Sequence, residues 1–270
     1  MRVEEHTIEL AGSPVYLRRS PAPGSPPLYL HGIPTSSADW AELLARTGGL
    51  APDLIGFGAS AKGGQLNLTL EGHADFLEAL LARLGVERVQ LVMHDWGAGG
   101  GLVFAQRHPH RVERLVLINA LPLGGDFRWP APARIWRRPV LGELAMGMVT
   151  KRLLGRWLRR GAVRPEAWDD ERLEQIWDQF DQGTQRAILR LHRDASEQRL
   201  AEAGAALQSL SMPALVVWGE GDPWFPATLG EDYARRLPAA ELVKLPQAGH
   251  WPWLDGPEAS ELVARFLGSE

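Results

Sequence analysis

The sequence predicts an α/β fold built on a mostly parallel, doubly wound sheet, with a helical segment inserted between its two halves. Three observations carry this. Short apolar runs alternate with stretches of helical periodicity as far as residue 120, the order that a parallel sheet with helical crossovers requires. From about Leu121 to Ala205 that rhythm stops; the chain is rich in Arg and Trp, reads as helical and holds no convincing strand. From residue 206 the alternation of strand and helix resumes. We therefore expect a core formed by residues 1–120 and 206–270, and a helical lid formed by 121–205.

The elements follow in order. "TIELAGSPVYLRR" alternates and turns as a β-hairpin does. "PPLYLHG" is a short apolar strand ending in a turn, and "APDLIGFGAS" is a strand end followed by a glycine-punctuated loop. "LTLEGHADFLEALLARLGV" has helical apolar spacing and ends in Gly85, a C-cap. "RVQLVMH" is a buried strand running straight into "DWGAGGGLVFAQRHP", whose small residues suit a helix packed close to a sheet. "VERLVLINA" is the next strand. Beyond the insertion, "PALVVWGEGD" and "AELVKLP" read as strands, "LGEDYARRLP" and "PEASELVARFLG" as helices.

Composition narrows the function. The 270 residues are 45% hydrophobic, enough for a sizeable core. There is no cysteine, which excludes disulfides, thiolate metal sites and cysteine nucleophiles. The net charge of -4, from 29 basic and 33 acidic residues, gives no reason to expect a nucleic-acid partner. "MRVEEHTIEL" lacks the apolar centre of a signal peptide, and no apolar run approaches the ~20 residues that span a bilayer. We expect no membrane partner, a cytoplasmic location, and a monomer or homodimer. Arg128, Arg134, Arg137, Arg138, Lys151, Arg152, Arg156, Arg159 and Arg160 face only Glu143 in their segment. Solvated helix faces explain them best, with an electropositive rim for anions as the functional alternative.

Three residues sit at the ends of expected strands, where open α/β sheets place their sites. Asp95 follows "RVQLVMH", Asp222 follows "PALVVWGEG" and His250 follows "AELVKLPQAG". Strand, sharp turn and helix commonly present a serine in a G-x-S-x-G elbow. Here "HDWGAG" puts a carboxylate at the centre. A serine must lose a proton to attack, whereas a carboxylate is already ionised at neutral pH. Alone, Asp95 reads as a helix N-cap and Asp222 as a turn residue. Together with His250, in the order nucleophile, acid, histidine, they read as a catalytic set. His31 and His94 suit structural or supporting hydrogen bonds. Neither joins a metal-ligand spacing, so no metal and no cofactor are expected.

"LHGIPTSSADW", "PDLIGFGAS", "MHDWGAGGGLVFAQRHPHRV", "WGEGDPWFP" and "AGHWPWLDGPE" together resemble the α/β-hydrolases, in the group of haloalkane dehalogenases and epoxide hydrolases. The resemblance implies an α/β-hydrolase fold with a helical lid. It implies that Asp95 attacks a small apolar halogenated or epoxide substrate, that His250 activates water against the resulting ester, and that Asp222 orients His250. The backbone N–H groups of Ile33 and Trp96 would form the oxyanion hole. Trp96 would also hold a departing halide ion. The partner donor in dehalogenases is an asparagine in the "HGxP" loop, where this chain has Ile33, or a lid tryptophan. Trp129, Trp136, Trp157, Trp168 and Trp177 are available, and Trp136, early in the lid, is the expected one. Asn119 stands where some dehalogenases keep the acid; an amide cannot serve, which leaves Asp222. Epoxide hydrolases donate protons from lid tyrosines, yet Tyr16, Tyr29 and Tyr233 all lie outside the lid. The dehalogenase-like reading is therefore preferred, ahead of an epoxide hydrolase and of a fold that binds a small ligand without turnover.

Overall fold

The computed structural model describes residues 1–124 and 127–268. Eight strands form one sheet in the order β1-β2-β4-β3-β5-β6-β7-β8. They are β1 (Glu4–Leu10), β2 (Ser13–Ser20), β3 (Pro27–Leu30), β4 (Gly49–Pro52), β5 (Val89–Asp95), β6 (Val112–Ala120), β7 (Ala214–Gly219) and β8 (Ala240–Leu245). The first two form the expected antiparallel hairpin and β2 pairs antiparallel with β4; the remaining pairings are parallel.

The apolar runs are continuous because both faces of the sheet are covered. Leu28, Leu30, Leu91, Met93, Leu115, Leu117 and Val216 enter one core. Their neighbours Tyr29, Val92, Val116, Leu215 and Val217 enter the other. This is the two-residue period of a strand read across four strands.

Six helices belong to the sheet: α1 (Ala41–Thr47), α2 (Leu70–Leu84) and α3 (Gly97–Arg107) before the insertion, and α10 (Thr228–Arg236), α11 (Pro252–Asp255) and α12 (Glu258–Phe266) after it. Between β6 and β7 lie α4 (Ala131–Trp136), α5 (Leu141–Gly147), α6 (Lys151–Arg160), α7 (Asp170–Gln179), α8 (Gln182–Asp194) and α9 (Glu197–Ala203), with no strand among the described residues there. Thr150, Asp169, Asp181 and Ser196 cap α6 to α9 by accepting from backbone N–H groups, as good N-cap residues do. The expected cap at Gly85 is present in the left-handed conformation, at φ 67°. Sequence patterning missed α1 and α11, which at seven and four residues are too short to show a helical period. No helix among the described residues is long and apolar enough to cross a membrane.

Gly97 fixes how closely α3 enters the sheet. A Cβ there would lie 2.5 Å from the Leu30 carbonyl oxygen and 2.7 Å from that of His31. Gly97→Ala is expected to destabilise the protein by about 1–3 kcal/mol through overpacking, read as a lower urea midpoint at unchanged slope.

Candidate active site

Strand β5 does not stop at His94; it runs through Asp95, whose backbone turns to φ 46°. A left-handed conformation at a residue with a side chain is strained, and such strain recurs where a functional group must be presented. Asp95 does not cap α3, whose N-cap makes no side-chain hydrogen bond. Instead its Oδ2 accepts from the N–H of Ile33 at 3.0 Å, and the N–H of Trp96 also bonds the carboxylate. Gly32 makes room for this: a Cβ there would sit 2.6 Å from both Cβ and Oδ2 of Asp95. His31 supports the loop, its Nδ1–H donating to the Gly32 carbonyl and its Nε2 accepting from the Leu54 N–H. Asp95 is 3% exposed. Burial raises its pKa to about 6, against the opposing pull of His250 and the two N–H donors.

His250 follows β8 and is pinned on both sides. Its N–H donates to the Gly161 carbonyl at 2.7 Å, and its own carbonyl accepts from His94 Nε2–H at 2.8 Å. The first bond ties the inserted helices to this loop; the second ties it to β5. The ring donates Nδ1–H to Asp222 Oδ2 at 2.7 Å, so that in the neutral ring Nε2 is the free acceptor. Burial disfavours charge on this ring, but Asp222, its hydrogen bond, Asp95 and Asp39 together outweigh burial and raise the His250 pKa. Asp222 makes its turn as well: Oδ1 accepts from Trp224 and Phe225 N–H at 2.8 and 3.1 Å. Asn119 donates to Asp222 Oδ2 at 2.8 Å, so this amide holds the carboxylate that orients His250.

Asp95 and His250 line a cavity of about 40 Å³. Five tryptophans share its wall: Trp96, Trp129, Trp136, Trp157 and Trp224. Trp96 and Trp129 lie nearly parallel, centroids 5.7 Å apart. Trp129 Nε1 is buried with no hydrogen-bond partner. Trp168 and Trp177 do not line it; they pack on Trp251 and Phe180. No tyrosine lines it: Tyr29 bonds Thr47, and Tyr233 donates to the Leu121 carbonyl.

Residues 28–257 match the profile of the α/β hydrolase fold. The chain belongs to the α/β hydrolase fold family. The hydrolase is 29% identical over 289 residues to a haloalkane dehalogenase of Bradyrhizobium diazoefficiens, covering 96% of this chain and 92% of the relative. It is 30% identical over 266 residues to a cis-3-alkyl-4-alkyloxetan-2-one decarboxylase of Xanthomonas campestris, covering 87% and 85%. The crystal structure of the haloalkane dehalogenase DbeA from Bradyrhizobium elkani superposes with a TM-score of 0.86 at 26% identity, covering 99% and 98% of the two chains.

Among the residues of the hydrolase pocket that sequence reasoning missed is His192 on α8. Its ring packs against Trp96, Trp129 and Trp136 with centroids 4.8, 5.1 and 5.1 Å away. Burial pushes its pKa down to about 4. Nδ1–H donates to the Ile188 carbonyl, so Nε2 is an acceptor in a pocket otherwise rich in donors. No motif marks it; its one signal is a histidine four residues beyond Ile188 on the helix face that carries buried Thr184 and Leu191. Several of the basic residues have local partners. Arg137 donates to the carbonyls of His192 and Ala195 and lies over Trp129. Lys151 pairs with Glu174 and Arg159 with Asp170. No group of three or more His, Asp or Glu among the described residues is arranged to hold a metal.

Proposed function

We propose that the protein is a haloalkane dehalogenase-like hydrolase. The observation that carries this is the division of labour on one carboxylate: Asp95 Oδ2 is held by the N–H of Ile33, which leaves Oδ1 to attack. Oδ1 displaces halide from a saturated carbon, forming the Asp95–alkyl ester and a halide ion. The indole N–H of Trp96, with one from the lid formed by 121–205, holds that ion. His250 Nε2 then takes a proton from water, which attacks the ester carbonyl. Charge develops on Oδ2, where the Ile33 N–H already stands, with the Trp96 N–H as the second donor beside the carboxylate. Collapse returns alcohol, ionised Asp95 and a proton. Esterification also removes the Asp95 charge, one of the influences that raise the His250 pKa, so the first step makes His250 the readier base for the second.

A second reading has support from the Xanthomonas relative. An oxetan-2-one also offers a saturated carbon bonded to a leaving group, there a ring carboxylate, and the same donors suit that anion. Epoxide opening finds less support, because no tyrosine lines the pocket. Binding without turnover leaves the Asp95, His250 and Asp222 arrangement without a purpose. The deciding experiment supplies 1-bromobutane, a cis-dialkyl oxetan-2-one and styrene oxide, measuring bromide, carbon dioxide and diol. A single turnover in heavy-oxygen water follows. Bromide release with label entering Asp95 is expected; an unlabelled Asp95 overturns the covalent route.

The raised pKa of Asp95 sets a pH dependence. The alkylation rate is expected to climb as pH rises through about 6, because only the ionised carboxylate attacks. Stability moves the other way. The unfolded carboxyl titrates near 3.8, so between there and about 6 the folded form holds the extra proton, and stability falls as pH rises across that window. Asp95→Asn is expected to abolish turnover while raising stability at pH 8 by up to about 3 kcal/mol, with no gain at pH 4. Paired thermal melts at the two pH values check this.

A further inference from the structure

The 40 Å³ pocket around Asp95 has room for a reacting carbon and its leaving group and little else. A second cavity of about 330 Å³ adjoins it, and Ile33, Pro132, Trp136 and Trp157 line both. None of the fourteen residues lining this larger chamber is ionisable, and the indoles of Trp136 and Trp157 are its only side chains with an N–H. Most of the wall comes from α4, α5 and α6. Ile135 and Leu153, which also line it, are 46% and 45% exposed, so the chamber opens to solvent between α4 and α6.

We propose that this chamber holds an unbranched alkyl chain attached to the reacting carbon, so that the substrate is a long-chain rather than a one- or two-carbon electrophile. The proposal rests on the carboxylate-attack reading for the position of the reacting carbon; the chamber stands on its own geometry. A dry apolar cavity of about 150 Å³ holds the six carbons of benzene, so 330 Å³ holds roughly a dozen carbons on the same scale. Apart from the two indole N–H groups, no side chain of the wall would satisfy a hydroxyl or carboxylate along the chain, and an unpaired polar group there is penalised. A short substrate leaves the chamber empty and gains nothing from it. Each methylene moved from water into the chamber strengthens binding about fourfold, until the chamber is full.

The test uses two series. Unreactive 1-alkanols from butanol to dodecanol are titrated calorimetrically, and kcat/KM for bromide release is measured for 1-bromoalkanes of the same lengths. Both are expected to improve by about fourfold per methylene and then level near ten carbons, the change residing in KM. Ala145 lines the chamber but not the pocket around Asp95; Ala145→Phe fills the chamber, moves the plateau to shorter chains and affects bromoethane least. Leu153→Glu, at the exposed mouth where folding tolerates a charge, weakens only the long chains. Flat series beyond butyl, or a plateau and long-chain affinities that neither variant alters, overturn the proposal. So does tighter binding of phenylalkanols than of 1-alkanols with equal carbon number, which would make the occupant a ring. Alkanol binding that follows chain length without any bromide release upholds the chamber and refutes dehalogenation; bromide release with flat series does the reverse.

Discussion

Replacing His250 by alanine is expected to yield a protein that releases about one equivalent of bromide per chain and then stops. In the proposed scheme the first chemical step asks nothing of the histidine: Asp95 needs no base once it is ionised, and its Oδ2 keeps the Ile33 N–H. The second step loses its general base, a contribution of roughly 10²–10⁴ in rate. The substitution spares the loop, because both links that pin it are backbone: the N–H to Gly161 and the carbonyl to His94. It does remove a charge that holds the Asp95 pKa down. That pKa therefore rises further in the variant, and the burst must be measured near pH 8.5, where the carboxyl is still ionised. Mass spectrometry of the digested variant is expected to place the alkyl group on the peptide containing Asp95. A folded His250→Ala protein that turns over many times, or that carries no adduct after exposure to bromoalkanes, contradicts the two-step scheme. His250→Phe, which keeps the ring volume beside Trp224, Phe225 and Trp251, separates loss of the base from loss of packing.

Asp95 and Asp222 were legible because each follows an apolar run that folds as a strand with both faces buried; His250 follows the edge strand β8, which is only partly buried. A two-sided strand writes a continuous pattern into the sequence, and its end is easy to find. The Ile33 N–H beside Asp95 could be placed from the same pattern, whereas the bond from Asn119, inside β6, to Asp222 could not. The inserted helices are different. Their apolar faces look alike whether they meet the core, the pocket or solvent, and exposed Leu144 and Met148 share α5 and its C-terminal edge with buried Met146. Periodicity gives a helix its buried side but not what it is buried against. Trp168 and Trp177 were therefore indistinguishable in sequence from Trp129, Trp136 and Trp157, and His192 was invisible. The same blindness hid the chamber, whose walls are drawn from Ile33 in one loop and Ile188 some 150 residues later.

Trp96→Phe is expected to slow the alkylation step by roughly 10²–10³, the loss seen when one preorganised donor to a developing anion is removed. The phenyl ring keeps the stacking against Trp129, and the backbone N–H of residue 96 stays in place. Hydrolysis of an ester already formed, followed by single turnover, is therefore expected to be nearly unchanged. A variant that slows both steps equally would show that Trp96 acts by shaping the pocket rather than by holding the halide. The lid donor is decided by the same substitution at two positions. Trp136, favoured on sequence, and Trp129 both line the pocket. Trp129 is nearly parallel to Trp96, and its Nε1–H is buried without a partner. An unpaired buried donor costs about 1–3 kcal/mol and is satisfied when an anion arrives. In bromide the parent is expected to gain Tm; Trp129→Phe is thus expected to raise the stability of the empty protein and to abolish that gain. Trp136→Phe is expected to leave that bromide effect in place. If instead the bromide effect vanishes only in Trp136→Phe, the halide sits on the chamber side of the pocket, with Trp136 as its second donor.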